Sequence, residues 1–237
     1  MIQKIHLNNI LFLDIETVPQ TANFDSLDPE MKTLWEHKTQ YQRKDNYTPE
    51  EFYDRAGIWA EFGKIICISV GYFANKTTSR NFRVTSFTGD EAIILKDFNN
   101  LLNKHFDQEQ HLLCGHNAKE FDFPFLARRM VIHQIPIPEK LQLFGKKPWE
   151  IQHLDTLELW KFGDYKHYTS LTLLCKILQI PSPKTDIDGS QVGQVYYVEK
   201  DLDRIVAYCE KDTIAVAQIV LRLRYEELLS ETEISHV

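Results

Sequence analysis

The sequence predicts an α/β fold, a mixed sheet flanked by helices, and three observations carry that expectation. Apolar, β-branched runs at residues 10–18, 64–73 and 81–87 read as strands, and the polar stretch 75–79 joins the last two as an antiparallel hairpin. A helical pattern opening at Gly89-Asp90 then leads to a short apolar strand at 111–114, which makes it a crossover between strands of one sheet. Helical periodicity dominates the rest. The 237 residues, 43% hydrophobic and 26% charged, suit one sizeable domain, residues 1–237, with a full core. Taken alone, this order of elements also leaves a doubly wound sheet open.

The first strand, ILFLDIETV, ends in two carboxylates. Side chains two apart on a strand share a face, so Asp14 and Glu16 point one way and Leu13 and Ile15 the other. Two carboxylates about 4 Å apart repel by about 4 kcal/mol at an effective dielectric of about 20. Either a divalent cation sits between them, or the strand runs into a solvated turn at Pro19. Residues 23–62 then form a polar, aromatic insert of helical character. Asp28 and Pro29 begin one helix, and Thr48, Pro49 and Glu51 form a capping box for a second. Its aromatic residues, Trp35, Tyr41, Tyr47, Phe52, Tyr53 and Trp59, either dock the insert onto the core or stack on bases.

After the hairpin, Ile93, Ile94, Phe98, Leu101 and Leu102 recur at helical spacing. A helix over 123–134 follows the fourth strand and is ended by Pro136. Asp155 caps a short helix to 162. Leu171, Leu174, Cys175 and Leu178 line one face of a helix over 169–180. Residues 182–193 form a loop, and 201–229 a long helix, broken near Asp212.

Net charge is −7 and the pI about 5.7, so no strongly basic face advertises a polyanion partner; local patches remain compatible with one. The four cysteines are far apart, with no C-x-x-C, and read as small core residues in a reducing compartment. No signal peptide and no run of membrane-spanning length is visible, which predicts a cytoplasmic protein. There is no phosphate-binding G-x-x-x-x-G-K and no Ser/His/Asp or Cys/His set, and of the nine histidines only His116 neighbours the residues singled out below.

Two further stretches hold acids in unusual places. GHNAKEFDFPFLARR puts Asp122 at a helix start, where the helix dipole favours a carboxylate by about 0.3–1 kcal/mol; it is either a first-turn acid or a ligand. AYCEKDTIA puts Tyr208 and Asp212 four apart on a helical face with Ile205, Cys209 and Val216, where an unpaired carboxylate is costly. It is either a pair at the helix boundary, a cap after a break, or part of a site.

Together, FLDIETVP, GHNAKEFDFPFLARR and AYCEKDTIA resemble the DEDD superfamily of 3′–5′ exonucleases, on the ribonuclease H-like fold. Tyr208 is similar to the tyrosine of the DEDDy branch, and the motifs look most like the proofreading exonuclease domain of family B DNA polymerases. The resemblance runs from about residue 10 to 223. Because the chain ends soon after the third motif, a free-standing relative is expected. The resemblance implies a mixed five-stranded sheet, three strands antiparallel and the others parallel. It implies two divalent cations, Mg²⁺ or Mn²⁺, held by Asp14, Glu16, Asp122 and Asp212, with Tyr208 orienting the attacking water. It implies Asn117, Phe121 and Thr17 as substrate-binding residues, although Asn117 equally suits an Asx turn. Asp155 either joins the acids or caps its own helix. Of Phe121 and Phe123, one is expected in the core. Arg128, Arg129, Lys146, Lys147, Lys166, Lys184 and Lys211 either meet phosphates or are solvated surface.

The expected activity is hydrolysis of nucleotides from 3′ ends, with single-stranded DNA as substrate. An RNA exonuclease similar to ribonuclease D, and a non-catalytic nucleic-acid-binding module on the same fold, are the alternatives. No membrane partner is expected, and the oligomeric state is left open.

Overall fold

In the computed structural model, which describes residues 2–43, 47–74, 80–164, 166–181 and 187–237, the first strand is the centre of the sheet. β1 (Ile10–Pro19) pairs antiparallel with β2 (Gly63–Phe73), which pairs antiparallel with β3 (Phe82–Thr88). On its other side β1 runs parallel to β4 (Leu112–Gly115), and β4 parallel to β5 (Leu154–Asp155). The sheet has six strands, not the five expected. β6 (Ile234–His236) adds parallel to β3 at the far edge, giving the order β5-β4-β1-β2-β3-β6. Asn81 Nδ2 donating to Ser235 Oγ at 2.9 Å, and Arg80 paired with Glu233 at 2.9 Å, hold it there. The expected hairpin turn, 75–79, lies outside the described residues.

The alternation of β1 divides the molecule. Leu11, Leu13 and Ile15 pack against Ile94 and Phe98 of α2 (Glu91–His105) and against Phe123 and Leu126 of α3 (Asp122–Ile132). Ile10 and Phe12 pack on the other face against Val216, Val220 and Leu221 of α7 (Leu202–Leu223). Asp14 and Glu16 continue that second row and therefore point toward α7. This helix is continuous through Asp212, contrary to the expected break, and it ends at Leu223 rather than near 229, where Arg224 closes it and Tyr225 turns left-handed (φ 60°).

The insert begins with α1 (Pro29–Thr39), capped by Asp28 as expected. The capping box at 48–51 is also formed, Thr48 N–H to Glu51 at 2.8 Å and Glu51 N–H to Thr48 Oγ1 at 3.1 Å, but it leads into a 3₁₀ turn, Tyr53–Ile58, not an α-helix. Trp35, Phe52, Tyr53 and Phe62 form one buried cluster within the insert itself, while Tyr41 and Tyr47 are exposed. Farther on, α4 (Thr156–Lys161) is capped by Asp155 and α5 (Leu171–Ile177) by Ser170. α6 (Val192–Gln194) starts at the end of the expected loop and runs into a π turn (Val195–Glu199), which brings the Tyr197 hydroxyl to the Pro19 carbonyl at 2.5 Å. Residues 182–186, including Lys184, lie outside the described residues.

Arg129 departs from both readings offered for it. It is buried under α3 and grips Glu91 at 2.8 and 2.5 Å, so it meets neither solvent nor phosphate. The four cysteines are buried.

Candidate active site

β1 runs on past the acids to Pro19 rather than ending at them, so Asp14 and Glu16 are its fifth and seventh residues, and the pairing is irregular just after Glu16. Glu16 pairs with Cys67 but Thr17 pairs with Ile65, so Ile66 bulges out of β2 opposite them. Ile66 and Cys67 both turn toward α7. Bulges of this kind re-aim side chains beside sites. Across from them, the four-residue spacing on α7 brings Tyr208 and Asp212 to the same side as Cys209, whose sulfur lies 3.3 Å from Asp14 Oδ2 and 3.4 Å from its carbonyl.

Asp122 arrives by a different route. A Cβ at Gly115 would sit 2.5 Å from the Ala118 Cβ and 3.2 Å from the Leu13 carbonyl, so the chain leaving β4 doubles back tightly against β1. Asn117 takes a left-handed conformation (φ 61°) in that turn. Its N–H and that of Lys119 donate to Asp155 at 2.9 and 3.0 Å. The turn delivers Asp122 buried at the first residue of α3.

The charges of these acids meet. Burial pushes the Asp14 carboxyl well above the ordinary range, and Glu16, Asp122 and Asp212 push it further. Burial raises Glu16 likewise, with Asp212, Cys67 and Asp122 adding to the effect. Burial lifts Asp122 to about 7, although its own N–H and that of Ile15 favour its charge; Asp155 adds to the rise. Burial lifts Asp212 to about 6, with Tyr208 acting the other way. Among the described residues, no lysine or arginine is a cause of any of these shifts. The Tyr208 phenol is driven far above its ordinary value by burial and then by Asp212, Glu16 and Asp14, so it stays protonated at neutral pH. Among the described residues, Asp14, Glu16 and Cys209 bring donor atoms within 4.8 Å of one another; Asp122 and Asp212, expected as ligands, are not in that set, although their charges reach Asp14. Cys209 was not singled out from the sequence. Its place directly after Tyr208, on the helical face named there, was the available signal.

Asp155 resolves toward its capping role. Its oxygens take the N–H groups of Asn117, Lys119 and Leu157, at 2.9, 3.0 and 2.9 Å, so it holds the turn, while its charge still reaches Asp122. His116 is likewise engaged at both nitrogens, by Thr156 Oγ1 and the Thr169 carbonyl, each at 2.9 Å. Phe123 is fully buried against His153, whereas Phe121 is half-buried beside Phe125. Thr17 is half-buried just past the bulge, and Lys211 half-buried next to Asp212. Arg128, Lys146, Lys147 and Lys166 are exposed. No described helix is long and apolar enough to cross a membrane.

Residues 58–235 match a family model described as a predicted 3′–5′ exonuclease related to the exonuclease domain of PolB. That span holds Asp122, Tyr208 and Asp212; Asp14 and Glu16 lie upstream of it. Among solved structures, the family B DNA polymerase from the hyperthermophilic archaeon Pyrobaculum calidifontis is similar in fold, with a TM-score of 0.50 at 16% identity over 90% of this chain. The chain spans 24% of that polymerase. No curated protein matches it.

Proposed function

Because the chain belongs to the family of predicted 3′–5′ exonucleases related to the exonuclease domain of PolB, we propose that it hydrolyses phosphodiester bonds at the 3′ end of single-stranded DNA and releases nucleoside 5′-monophosphates. One observation carries this reading: donor atoms of Asp14, Glu16 and Cys209 lie within 4.8 Å of one another, Asp122 and Asp212 from two other stretches of chain raise the Asp14 and Glu16 carboxyls, and no described basic side chain is among the causes of those shifts. Carboxylates so placed are costly unless a cation compensates them. The donor set is dominated by hard oxygens, which suits Mg²⁺ or Mn²⁺, and we assign two such ions to Asp14, Glu16, Asp122 and Asp212. Bound there, the cations would neutralise charge on the attacking and leaving oxygens of the phosphodiester.

The chain's own groups do the rest. β1 and the start of α3 hold their acids on regular elements anchored in the core, which limits misplacement of the reacting atoms. Tyr208, kept as a phenol, cannot serve as a base at neutral pH; it donates a hydrogen bond that orients the attacking water. Cys209, whose thiol is also pushed up by burial, keeps its hydrogen and gives it to Asp14. Asn117, Phe121 and Thr17 line the approach and receive the terminal nucleotide. Residues 1–237 form one exonuclease domain, with the insert at about 23–62 docked on it, working in the reducing cytoplasm.

The test is a 5′-labelled oligonucleotide, in DNA and RNA versions, incubated with Mg²⁺ or Mn²⁺ and with wild type or Asp14→Asn protein. A DNA ladder shortening from the 3′ end only with intact Asp14 is the expected result. Faster loss of the RNA would transfer the activity to RNA, and equal loss with both proteins would refute the assignment.

A further inference from the structure

Resting on the exonuclease reading, we propose that the groove on the outer side of α3, together with the loop that leaves it, binds the stretch of single strand upstream of the 3′ end. The groove has a volume of about 540 Å³ and is lined by Ala60, Pro124, Ala127, Arg128, Leu143 and Phe144 among others. Its α3 wall starts next to one of the acids. Pro124 follows Asp122 by two residues in α3, and Ala60 precedes Gly63, which pairs with Pro19 at the end of β1. From there it follows α3, whose 11 residues extend about 16 Å.

Its surface is that of a stacking platform with cations at the edge. Phe144 is 76% exposed, and a turn closed by Lys146 N–H on the Leu143 carbonyl (3.1 Å) carries the chain to Trp149, 73% exposed, with the Lys147 ammonium 5.1 Å from its ring centre. Arg128, Lys146 and Lys147 are exposed, and Lys119, Lys140 and Lys146 all act on the buried His153 beside this loop. Two acids share this surface: Glu61 lines the groove, pairs with Lys38 at 3.3 Å and feels Arg128, and Glu150 accepts the Lys147 N–H at 2.7 Å. In a chain of net charge −7, apolar and aromatic faces edged by exposed cations complement a polyanion carrying flat bases.

The experiment compares affinities for a fluorescein-labelled trinucleotide and dodecanucleotide of single-stranded DNA by anisotropy, without divalent ions so that no cleavage occurs, alongside hydrolysis of the same strands with Mn²⁺. Wild type should bind the longer strand more tightly. Stacking is worth about 5- to 150-fold per base, so in the Phe144→Ala/Trp149→Ala variant the ratio of the two affinities should collapse toward one. In Lys146→Gln/Lys147→Gln the log–log salt slope should fall by about 0.7 per lysine on a single strand. Both replaced pairs are exposed, and circular dichroism checks that the variants fold. Active wild type whose length ratio and salt slope are the same in all three proteins overturns the proposal and gives the groove another occupant, such as a partner protein. Wild type that cleaves no strand with Mn²⁺ overturns the exonuclease reading instead, and the anisotropy ratios still decide the groove.

Discussion

Glu91 and Asp14 are both carboxylates withdrawn from water, on opposite sides of the same sheet, and the chain treats them in opposite ways. Burial would lift Glu91, but it accepts the Arg129 guanidinium at 2.8 and 2.5 Å, the Ile65 N–H at 2.7 Å and His133 at 2.7 Å, and the sum holds it below the ordinary glutamate range. Arg129 is satisfied in turn by the Ala60 carbonyl at 2.8 Å. Asp14 has a thiol and three other acids for neighbours, and its carboxyl is driven up. The first arrangement is complete as it stands and ties α2, α3 and β2 together. The second is costly until something positive arrives. A buried carboxylate is therefore informative through its partners rather than through its burial, and an uncompensated group is the better functional marker.

The sharpest way to break this contrast is to neutralise one acid in each place. Asp14→Asn should lower exonuclease turnover by about 10³-fold or more, since it removes a cation ligand. It should also raise the melting temperature of the metal-free protein, by about 2–4 °C per kcal/mol of repulsion relieved. A fall in that melting temperature would mean that Asp14 is already compensated. Arg129→Met should do the reverse. Leaving Glu91 buried and unpaired costs about 3–5 kcal/mol, or about 6–20 °C. The double variant Arg129→Met/Glu91→Leu should recover much of that loss, and recovery is the measurement that separates the stranded charge from lost packing.

Cations give the next largest effect. At about 100 times its dissociation constant, Mn²⁺ should stabilise wild type by about 2.7 kcal/mol and should lose most of that effect on Asp14→Asn. The increment should shrink from pH 8 to pH 6, because Asp122 and Asp212 take up protons near 7 and 6. The metal-free protein should move the other way. Acids with raised folded-state values bind protons in the native state that the unfolded chain has released, so stability from this cluster is present at low pH and is lost as pH rises through about 6 to 7. Calorimetry with and without cation across that window reads both signs. The smallest effect is expected for Tyr208→Phe, about 10- to 100-fold in kcat with cation affinity retained, because it removes one water-orienting donor and no ligand; loss of cation binding in that variant would contradict the role.

Much of this was legible in the sequence because it rests on local periodicity. The two-residue period of β1 put Asp14 and Glu16 on one face, and the four-residue spacing of α7 did the same for Tyr208 and Asp212. That Trp35, Phe52 and Tyr53 pack inside the insert was only half legible, since the sequence left docking and base stacking both open. What escaped depends on distant partners. Arg129 looked like a surface cation because Glu91 is 38 residues away, and Cys209 looked like filler because its Asp14 contact spans 195 residues. β5 and β6 have two and three residues, too few to show any alternation. The break expected at Asp212 assumed that an acid inside an apolar helix must be a cap; the acids around it supply another reason for its place.

The three-residue strand at the sheet's far edge also bears on how the protein is made. Asn81 must wait for Ser235, 154 positions later, before its amide finds that partner. During translation the outer backbone of β3 therefore stays bare until residues 234–236 have left the ribosome, and a bare edge is where chains join to one another. A version stopping short of residue 234 would keep every acid of the site and still carry that sticky margin permanently.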